Sequence, residues 1–538
     1  MKHTPRILAV SLSVVAAALS VSAAPARALA AEAESDGIIV TMRQDAASEV
    51  SLLADATSAL DAAGLDVTSV IDSADGELVL AADPARGQTD DEALAVAQDL
   101  PGVESAQLNY VYHLVDLVPE DAAPAAADAP AAAPVDLTLA QAIAANDPFT
   151  QVSSPSVARN QYWAYASDLV TAWTLSTSDN VVTVVTLDSG AQLDHPDLKD
   201  NLIAEYAWDA ARKKPLADDE VTDYNGHGTA VAGVISAVAN NGVGLAGASY
   251  NANVLPIKIL EGSGSGSNTE YLVNAFNYLL DLIDKGLVSN VRVVNMSLGT
   301  TADDTMLHEL ITRARDEYGI VTVCAGGNGN NVSPNIDPRT GEYRAHMYPG
   351  DYEECIAVTG LETDGTNLPY SDYNTCKDIS APGKSIWSTW KGGDYSANSG
   401  TSLSAPIVSG TVALMFYAEP NATPDEVYEA LCETATPVVD PEHDRTVPDE
   451  RGDVSGSHGA LDAGAAVAYL KEHVTRFKDV TEADWHYNSV MFVGTRGIMN
   501  GYNDGQGNFG ANDALTRQDA ATLIYNLLGR GQGATDHG

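Results

Sequence analysis

The chain contains the stretch Gly400-Thr401-Ser402-Leu403-Ser404-Ala405-Pro406, which runs directly into the apolar segment 407–417. The apolar segment predicts a buried helix, and Pro406 fits its first turn, where a backbone N–H has no partner within the helix. Taken alone, Ser402 would be expected to cap this helix. Two stretches earlier in the chain favour a chemical role instead.

Each of these earlier stretches holds one side chain that can carry a proton or a charge. The run Val181-Val-Thr-Val-Val-Thr-Leu-Asp188 predicts a buried strand that ends in a carboxylate, although a turn or helix-cap aspartate would look the same. The run Asn225-Gly-His227-Gly-Thr229 places a histidine at a glycine-flanked helix start, where a structural histidine is the alternative. A serine hydroxyl becomes a good nucleophile when an imidazole takes its proton and a carboxylate orients that imidazole. Asp188, His227 and Ser402 are therefore candidates for one catalytic triad.

A parallel sheet would bring these three side chains together. Residues 151–470 alternate apolar runs with small-residue helices, which is typical of an α/β fold with helices on both faces of the sheet. The runs expected to form strands are Val181–Leu187, Val254–Ile259, Val291–Met296, Ile320–Ala325 and Cys355–Thr359. Because open α/β sheets build their sites at the carboxyl edge of the strands, we expect the active site there.

The segments Asp188-Ser-Gly190, His227-Gly-Thr229 and 400–406 together resemble the three signatures of the subtilisin-like serine peptidases, and the resemblance covers residues 151–470. The chain order Asp, His, Ser matches as well. The resemblance implies a subtilisin-like parallel sheet and a serine endopeptidase that works through an acyl-enzyme. In this interpretation Ser402 is the nucleophile, His227 is the general base, and Asp188 orients the imidazole.

The resemblance extends to residues that would bind a substrate. Asn328 follows an expected strand and would donate a hydrogen bond to the oxyanion, together with the Ser402 backbone N–H. The residues expected to line the substrate backbone are Ser297, Leu298 and Gly299 on one wall and Ala325, Gly326 and Gly327 on the other. Met347 falls where the family often has a small residue, which predicts a primary pocket for small or medium apolar side chains.

The resemblance also implies a structural calcium site. Ca²⁺ prefers oxygen ligands from carboxylates, amides and carbonyl groups. The expected ligands are the side chains of Asp197 and Asn241 and the backbone carbonyls of Ala239, Val243 and Leu245. A plain surface turn is the alternative interpretation of this loop.

The four cysteines, Cys324, Cys355, Cys376 and Cys432, allow three pairings. The positions of Cys355 and Cys376 on either side of an expected strand and its neighbour weakly favour a bridge between them. Cys324 would also fit as a small buried apolar side chain.

The N-terminal region predicts export followed by processing. Residues 1–30 have the basic start, apolar core and small-residue ending of a secretory signal peptide, with a membrane anchor as the alternative. Residues 36–114 alternate in the order β-α-β-β-α-β, which fits a small ferredoxin-like α+β domain. By resemblance this domain is an inhibitory, chaperone-like propeptide that the enzyme removes itself. Residues 115–150 form an Ala/Pro-rich linker that we expect to be extended and accessible, with the maturation bond between about His113 and Asn146.

The C-terminal residues 476–530 resemble a small helical surface-layer homology module. The matching residues include Phe477-Lys-Asp-Val480, Trp485 and Gly497-Ile-Met-Asn-Gly-Tyr502. Such modules bind bacterial cell-wall polysaccharide, usually several together, so the one module predicts weak or assisted attachment. A stabilising appendage is the alternative.

Composition narrows the choice of function. The net charge of −46 disfavours partners held by phosphate neutralisation, so no nucleic-acid partner is expected. After the signal peptide, no segment is long and apolar enough to predict a transmembrane span. The sequence therefore predicts a secreted, self-processing endopeptidase whose partners are peptide substrates, its own propeptide and wall polysaccharide. The alternative is a non-enzymatic wall-binding protein with a silent peptidase fold, whereas a metallopeptidase is disfavoured because no His-Glu-x-x-His pattern occurs.

Overall fold

The computed structural model describes residues 34–43, 49–71, 77–119, 147, 161–176, 181–219, 221–250, 252–262, 264, 266–329, 346–372, 374, 376–438 and 459–474, together with 480, 484, 486, 489–490 and 509–510. The expected signal peptide, most of the linker 115–150 and nearly all of the module 476–530 lie outside these residues.

The first described region is an antiparallel sheet interrupted by two helices. Its strands are β1 Ser35–Met42, β2 Leu65–Ile71, β3 Leu78–Pro84 and β4 Val103–Leu114, and its helices are α1 Glu49–Ala62 and α2 Asp90–Gln98. The strand order is β2-β3-β1-β4, and each neighbouring pair is antiparallel. The order β-α-β-β-α-β is the expected one, and β4 ends at Leu114.

The larger region is built on an eight-stranded sheet within the described residues. Its strands are β6 Thr183–Asp188, β7 Trp208–Asp209, β8 Lys214–Pro215, β9 Asn253–Lys258, β11 Val291–Met296, β13 Val321–Ala325, β14 Cys355–Leu361 and β15 Ile379–Pro382. The order is β15-β14-β13-β11-β6-β9-β7-β8. The strands run parallel except for the terminal pair β7–β8. This arrangement confirms the expected α/β class.

Helices cover both faces of this sheet because its strands are apolar on both sides. The helices are α3 Tyr162–Ala166, α4 Leu169–Leu175, α5 His227–Ser236, α6 Thr269–Asp284, α7 Thr305–Tyr318, α8 Thr401–Ala418, α9 Pro424–Thr434 and α10 Ala463–His473, with 3₁₀ turns at Ala204–Tyr206 and Leu216–Asp218. In β6, Val184 packs into the core that contains α5 and α8, whereas Val185 packs into the core that contains α6 and α7. Alternate residues of one strand thus serve two cores.

Helix α8 lies at the centre of the core that also contains α5. Every residue from Thr401 to Tyr417 is buried, as expected for a helix that is apolar on all sides. By length and composition alone, α8 would also be able to cross a membrane, but 89% of its most apolar window is buried inside the protein. Gly400 (φ 145°) directly precedes its first residue, Thr401.

Within the described residues, five further short strands connect the two regions or lie near the carboxyl edge of the eight-stranded sheet. They are β5 Val118–Pro119, β10 Gly266–Asn268, β12 Leu298–Gly299, β16 Ile386–Trp390 and β17 Asp394–Ser399. Strands β10 and β12 of the large region both pair antiparallel with β4, so the N-terminal sheet continues into the large region. Strand β5 pairs with β17, which itself pairs with β16. The polypeptide that follows β4 is therefore held by backbone hydrogen bonds on both sides of the carboxyl edge.

Candidate active site

The Asp188 carboxylate and the His227 imidazole form a buried pair at the carboxyl edge of the sheet. Asp188 ends β6, and His227 begins α5. His227 Nδ1 lies 2.8 Å from Asp188 Oδ1 and 3.0 Å from Oδ2, and both side chains are almost completely buried. Burial favours the neutral imidazole, but the Asp188 carboxylate opposes this effect, and the net result is a raised pKa for His227. The pair can therefore take up a proton away from water.

A close approach of backbone segments allows this pair to form. A Cβ atom on Gly228 would collide with the Gly190 carbonyl oxygen and would lie 3.0 Å from Asp188 Oδ1. A glycine after His227 is thus a steric requirement of the contact between the strand end and the helix start.

A second buried carboxylate, Asp223, holds the start of α5 in place. Its Oδ1 accepts hydrogen bonds from the Gly226 N–H at 2.7 Å and from the Ser189 hydroxyl at 2.9 Å. Its Oδ2 accepts from the Thr229 N–H at 2.9 Å and the Thr229 hydroxyl at 2.6 Å. These bonds satisfy N–H groups that a helix start leaves unpaired. Sequence reasoning missed Asp223, although an aspartate shortly before a glycine-flanked helix start is a signal for such a cap.

Ser402 lies in the first turn of α8 and is fully buried. The Ser297 hydroxyl donates to the Ser402 carbonyl oxygen at 3.0 Å and accepts from the Asn295 amide at 3.0 Å. The Ser409 hydroxyl donates to the same Asn295 side chain at 2.9 Å. This buried network links the end of β11 to α8 and fixes the position of Ser402 against the sheet.

Asn328 follows β13 and is oriented by Thr401. Its Oδ1 accepts hydrogen bonds from the Thr401 N–H and hydroxyl, both at 3.0 Å. The amide is thereby turned so that Nδ2 faces the cleft, where it donates to the Asp116 carbonyl oxygen at 2.8 Å. Sequence reasoning missed the role of Thr401, as it missed that of Asp223.

The polypeptide that follows β4 occupies the space between these side chains. The Val115 carbonyl oxygen accepts a hydrogen bond from Ser402 Oγ and lies 3.3 Å from His227 Nε2. The Val115 N–H donates to the Ser297 carbonyl oxygen at 3.1 Å. The chain thus presents its own backbone to the serine hydroxyl and the imidazole.

Backbone pairing continues on both sides of Val115. Upstream, His113 and Leu114 pair with β12, which contains the expected substrate-binding residues Leu298 and Gly299. Downstream, β5 pairs with β17. The expectation that residues 115–150 are accessible does not hold for Val115, which pairing and apolar packing leave only 3% exposed, whereas Asp116, Val118 and Pro119 are exposed.

Met347 lies between the two walls expected for the primary pocket. It is buried, and a Cβ atom on Gly299 would collide with its thioether sulfur. A Cβ atom on Gly327, in the opposite wall, would lie 3.1 Å from the Met347 methyl carbon. In the same wall, a Cβ atom on Gly326 would lie 2.8 Å from the Val358 carbonyl oxygen, and Ala325 ends β13. Met347 thus fills space between the walls.

Asp197 and Asn241, two of the expected calcium ligands, are in direct contact. Asn241 Nδ2 lies 2.7 Å from Asp197 Oδ1, whereas Asp197 Oδ2 accepts from the Leu245 N–H at 3.1 Å and the Tyr395 hydroxyl at 3.2 Å. Burial raises the pKa of Asp197 to about 7. Because these donors are neutral, a cation would complete the charge balance of this buried carboxylate, and its oxygen atoms suit Ca²⁺.

A further carboxylate, missed in the sequence, lies beside this loop. Asp147 is fully buried and accepts hydrogen bonds from the backbone N–H groups of Asn240, Asn241 and Gly242. Its negative charge adds to the raised pKa of Asp197. Two buried carboxylates next to one loop are consistent with a divalent cation, whereas the carbonyl ligands expected at Ala239, Val243 and Leu245 stay predictions.

The cysteines are arranged differently from the expectation. All four are free thiols. The thiol of Cys355 hydrogen bonds with that of Cys324 across the neighbouring strands β13 and β14, and burial raises the pKa of Cys355. The thiol of Cys376 lies instead with the side chains of His346 and Asp351, all within 4.8 Å of one another. The favoured 355–376 bridge is therefore wrong.

Comparisons with known proteins agree with this fold. Residues 179–454, about half of the chain, match the model of the subtilase family, and residues 476–521 match that of the S-layer homology domain. The chain is 35% identical over 245 residues to the major intracellular serine protease of Bacillus subtilis, covering 45% of this chain and 70% of that protein. It is 31% identical over 265 residues to thermitase of Thermoactinomyces vulgaris, covering 49% of this chain and 84% of thermitase.

The fold is also similar to that of a solved structure. Fervidolysin from Fervidobacterium pennivorans, described as a keratinolytic enzyme related to subtilisin, superposes with a TM-score of 0.61 at 21% identity, covering 81% of this chain and 62% of fervidolysin.

Fold and relatives together define a serine peptidase of the subtilisin-like class. The chain belongs to the subtilase family, and it also carries an S-layer homology domain, a type of domain that associates with cell surfaces.

Proposed function

We propose that this chain is an exported, self-processing serine endopeptidase that is retained at a bacterial cell surface. The observation that carries the proposal is the joint approach of Ser402 Oγ and His227 Nε2 to one backbone carbonyl oxygen, that of Val115. The serine hydroxyl and the imidazole thus lie beside one peptide bond of the chain, where a nucleophile and its base have to be held for attack.

The inferred reaction uses four side chains in defined roles. The Ser402 hydroxyl attacks a peptide carbonyl carbon while His227 Nε2 takes its proton, and Asp188 stabilises the resulting imidazolium. Asn328 Nδ2 stabilises the negative charge that develops on the carbonyl oxygen. His227 then gives the proton to the departing amine, and water releases the acyl group from Ser402.

The first bond that we expect to be cut is Val115–Asp116 of the chain itself. The Val115 N–H pairs with the Ser297 carbonyl oxygen, and the Val115 carbonyl oxygen has both contacts to the triad. Asn328 donates to the following carbonyl oxygen, so the Val115 carbonyl has to turn towards Asn328 before attack. After cleavage, the pairing of β4 with β10 and β12 would keep residues 36–115 on the enzyme as an inhibitor.

The variant Ser402→Ala tests this proposal. The parent chain is expected to yield a new N-terminus at Asp116, whereas the variant is expected to keep the bond because the nucleophile is missing. Casein cleavage should fall on the order of 10⁶-fold, the scale for removing a triad nucleophile. Intact-mass and N-terminal peptide mass spectrometry report processing, and a casein assay reports activity.

Ser404→Ala is the matched control, because this hydroxyl lies in the same helix turn but donates to the Pro382 carbonyl oxygen at 3.1 Å. It should mature and cleave casein. Maturation and casein cleavage by Ser402→Ala at the parental rate would show that the assigned nucleophile is wrong. If no form matures or cleaves casein, the non-enzymatic alternative is favoured.

The primary pocket is proposed to accept small or medium apolar side chains, since Met347 fills the space between its walls. Val115 is a residue of this kind. The variant Met347→Gly is expected to raise kcat/KM for peptides with Phe before the cleaved bond, relative to Val, by about tenfold or more. Met347→Leu, which conserves volume, should keep the parental preference. A peptide library in which the parent prefers basic or large aromatic residues at this position would contradict the assignment.

Calcium is proposed as a structural cofactor at Asp197 and Asn241, where it would neutralise buried carboxylate charge. If calcium is present at about a hundred times its dissociation constant, its removal by EDTA should lower the melting temperature of the processed enzyme by about 3–5 °C. Asp197→Asn should abolish the EDTA effect, whereas Asp194→Asn, at a nearby exposed position, should retain it. An unchanged melting curve of the parent after EDTA treatment would rule out the site.

Retention at the cell surface is proposed to depend on the S-layer homology domain at 476–521. Deletion of residues 476–538 should move the protein from the cell-envelope fraction to the medium without loss of casein cleavage. Ser402→Ala, which retains the domain, should stay with the envelope. If the deleted form remains attached to the envelope, this domain is not the anchor.

A further inference from the structure

A buried carboxylate, Asp304, lies where the fourth residue before the cleaved bond would bind. With Val115 immediately before that bond, Tyr112 occupies the fourth position. The Tyr112 side chain is completely buried, and its hydroxyl donates to Asp304 Oδ2 at 2.9 Å. Asp304 is also completely buried and caps α7 by accepting from the Leu307 N–H at 3.3 Å.

The Tyr112 ring belongs to an apolar core cluster. The core cluster that includes the ring also contains Leu272, Leu298 and Leu307. Alternation along β4 supports the assigned position, because Tyr112 and Leu114 are buried whereas His113 between them is exposed. An apolar pocket with one carboxylate at its polar end matches a ring that carries one hydroxyl group.

Asp304 loses two hydrogen-bond donors when the N-terminal segment leaves. In the full chain, its oxygen atoms accept from Gln107 Nε2 at 2.9 Å and from the Tyr112 hydroxyl, and both residues precede the inferred cut. The donors that stay with the enzyme are the Thr269 hydroxyl at 2.6 Å and the Leu307 N–H. A substrate that fills this pocket buries the Asp304 carboxylate again, and a buried carboxylate needs donors, so a substrate hydroxyl restores a hydrogen bond that the N-terminal segment supplied.

On the basis of the proposed function, we propose that Asp304 is a specificity-determining residue that selects peptides with tyrosine four residues before the cleaved bond. Phenylalanine fills the same apolar space but leaves the carboxylate without the hydroxyl donor. A hydrogen bond to a charged group in a buried site corresponds to a preference for tyrosine on the order of ten- to a hundredfold.

The test compares two peptides on the processed enzyme. They are the aminomethylcoumarin amides of acetyl-Tyr-His-Leu-Val, which copies residues 112–115, and of acetyl-Phe-His-Leu-Val. The ratio of their kcat/KM values should be about ten or more in favour of tyrosine for the parent. In Asp304→Ser, which keeps a good helix cap but is too short to reach the hydroxyl, the ratio should fall to about one to two.

Asp303→Ser is the matched control, since it removes the same charge from the neighbouring, exposed position. It should keep the parental ratio. A ratio near one in the parent overturns the proposal while still demonstrating peptidase activity, and a parental ratio in Asp304→Ser overturns the role of Asp304. If Asp304→Ser does not fold, the ratio measured for the parent decides by itself whether the proposal stands.

Two other outcomes separate this inference from the function on which it depends. Cleavage of casein but of neither peptide means that the position assigned to Tyr112 is wrong, and the proposal fails alone. If the parent cleaves neither casein nor the peptides, the proposed function itself fails.

Discussion

The buried contact between the Asp188 carboxylate and the His227 imidazole is the interaction on which the rest of the site depends. Burial alone would keep the imidazole neutral, and the adjacent carboxylate is what allows it to hold a proton. The contact requires a strand end and a helix start to approach so closely that Gly228 has no room for a side chain. Asp223 then holds that helix start by accepting hydrogen bonds from Gly226 and Thr229.

The contacts proposed to position a substrate would also allow the N-terminal segment to act as an inhibitor. Strand β4 enters the cleft between β10 and β12, and β5 continues on the far side along β17, so main-chain pairing occurs on both sides of His227 and Ser402. Such pairing depends little on side-chain identity. Selectivity has to come from the side chains in pockets, which are those of Tyr112, Leu114 and Val115.

Most of the features that the sequence predicted correctly came from local patterns of residues. Apolar runs located five of the eight strands of the sheet to within a few residues, because buried parallel strands are apolar on both faces, whereas β7, β8 and β15 were not predicted. Sequence signatures likewise pointed to Asp188, His227, Ser402 and Asn328, which the fold brings to one edge. Residues whose partners are remote in the chain were missed or misjudged, since composition says nothing about such contacts. Tyr112 and Asp304 are 192 positions apart, and Cys355 lies beside Cys324 because two strands are neighbours in the sheet.

The most direct test of the account is the site of reaction with a fluorophosphonate, a reagent that labels a serine only when it is activated as a nucleophile. The processed protein is treated with the reagent, digested and analysed by mass spectrometry, with urea-unfolded protein as the control. The account predicts a single adduct, on Ser402, that is absent from the unfolded sample. An adduct on another residue, or none on folded and processed protein, would contradict the assignment of Asp188, His227 and Ser402 as one catalytic unit.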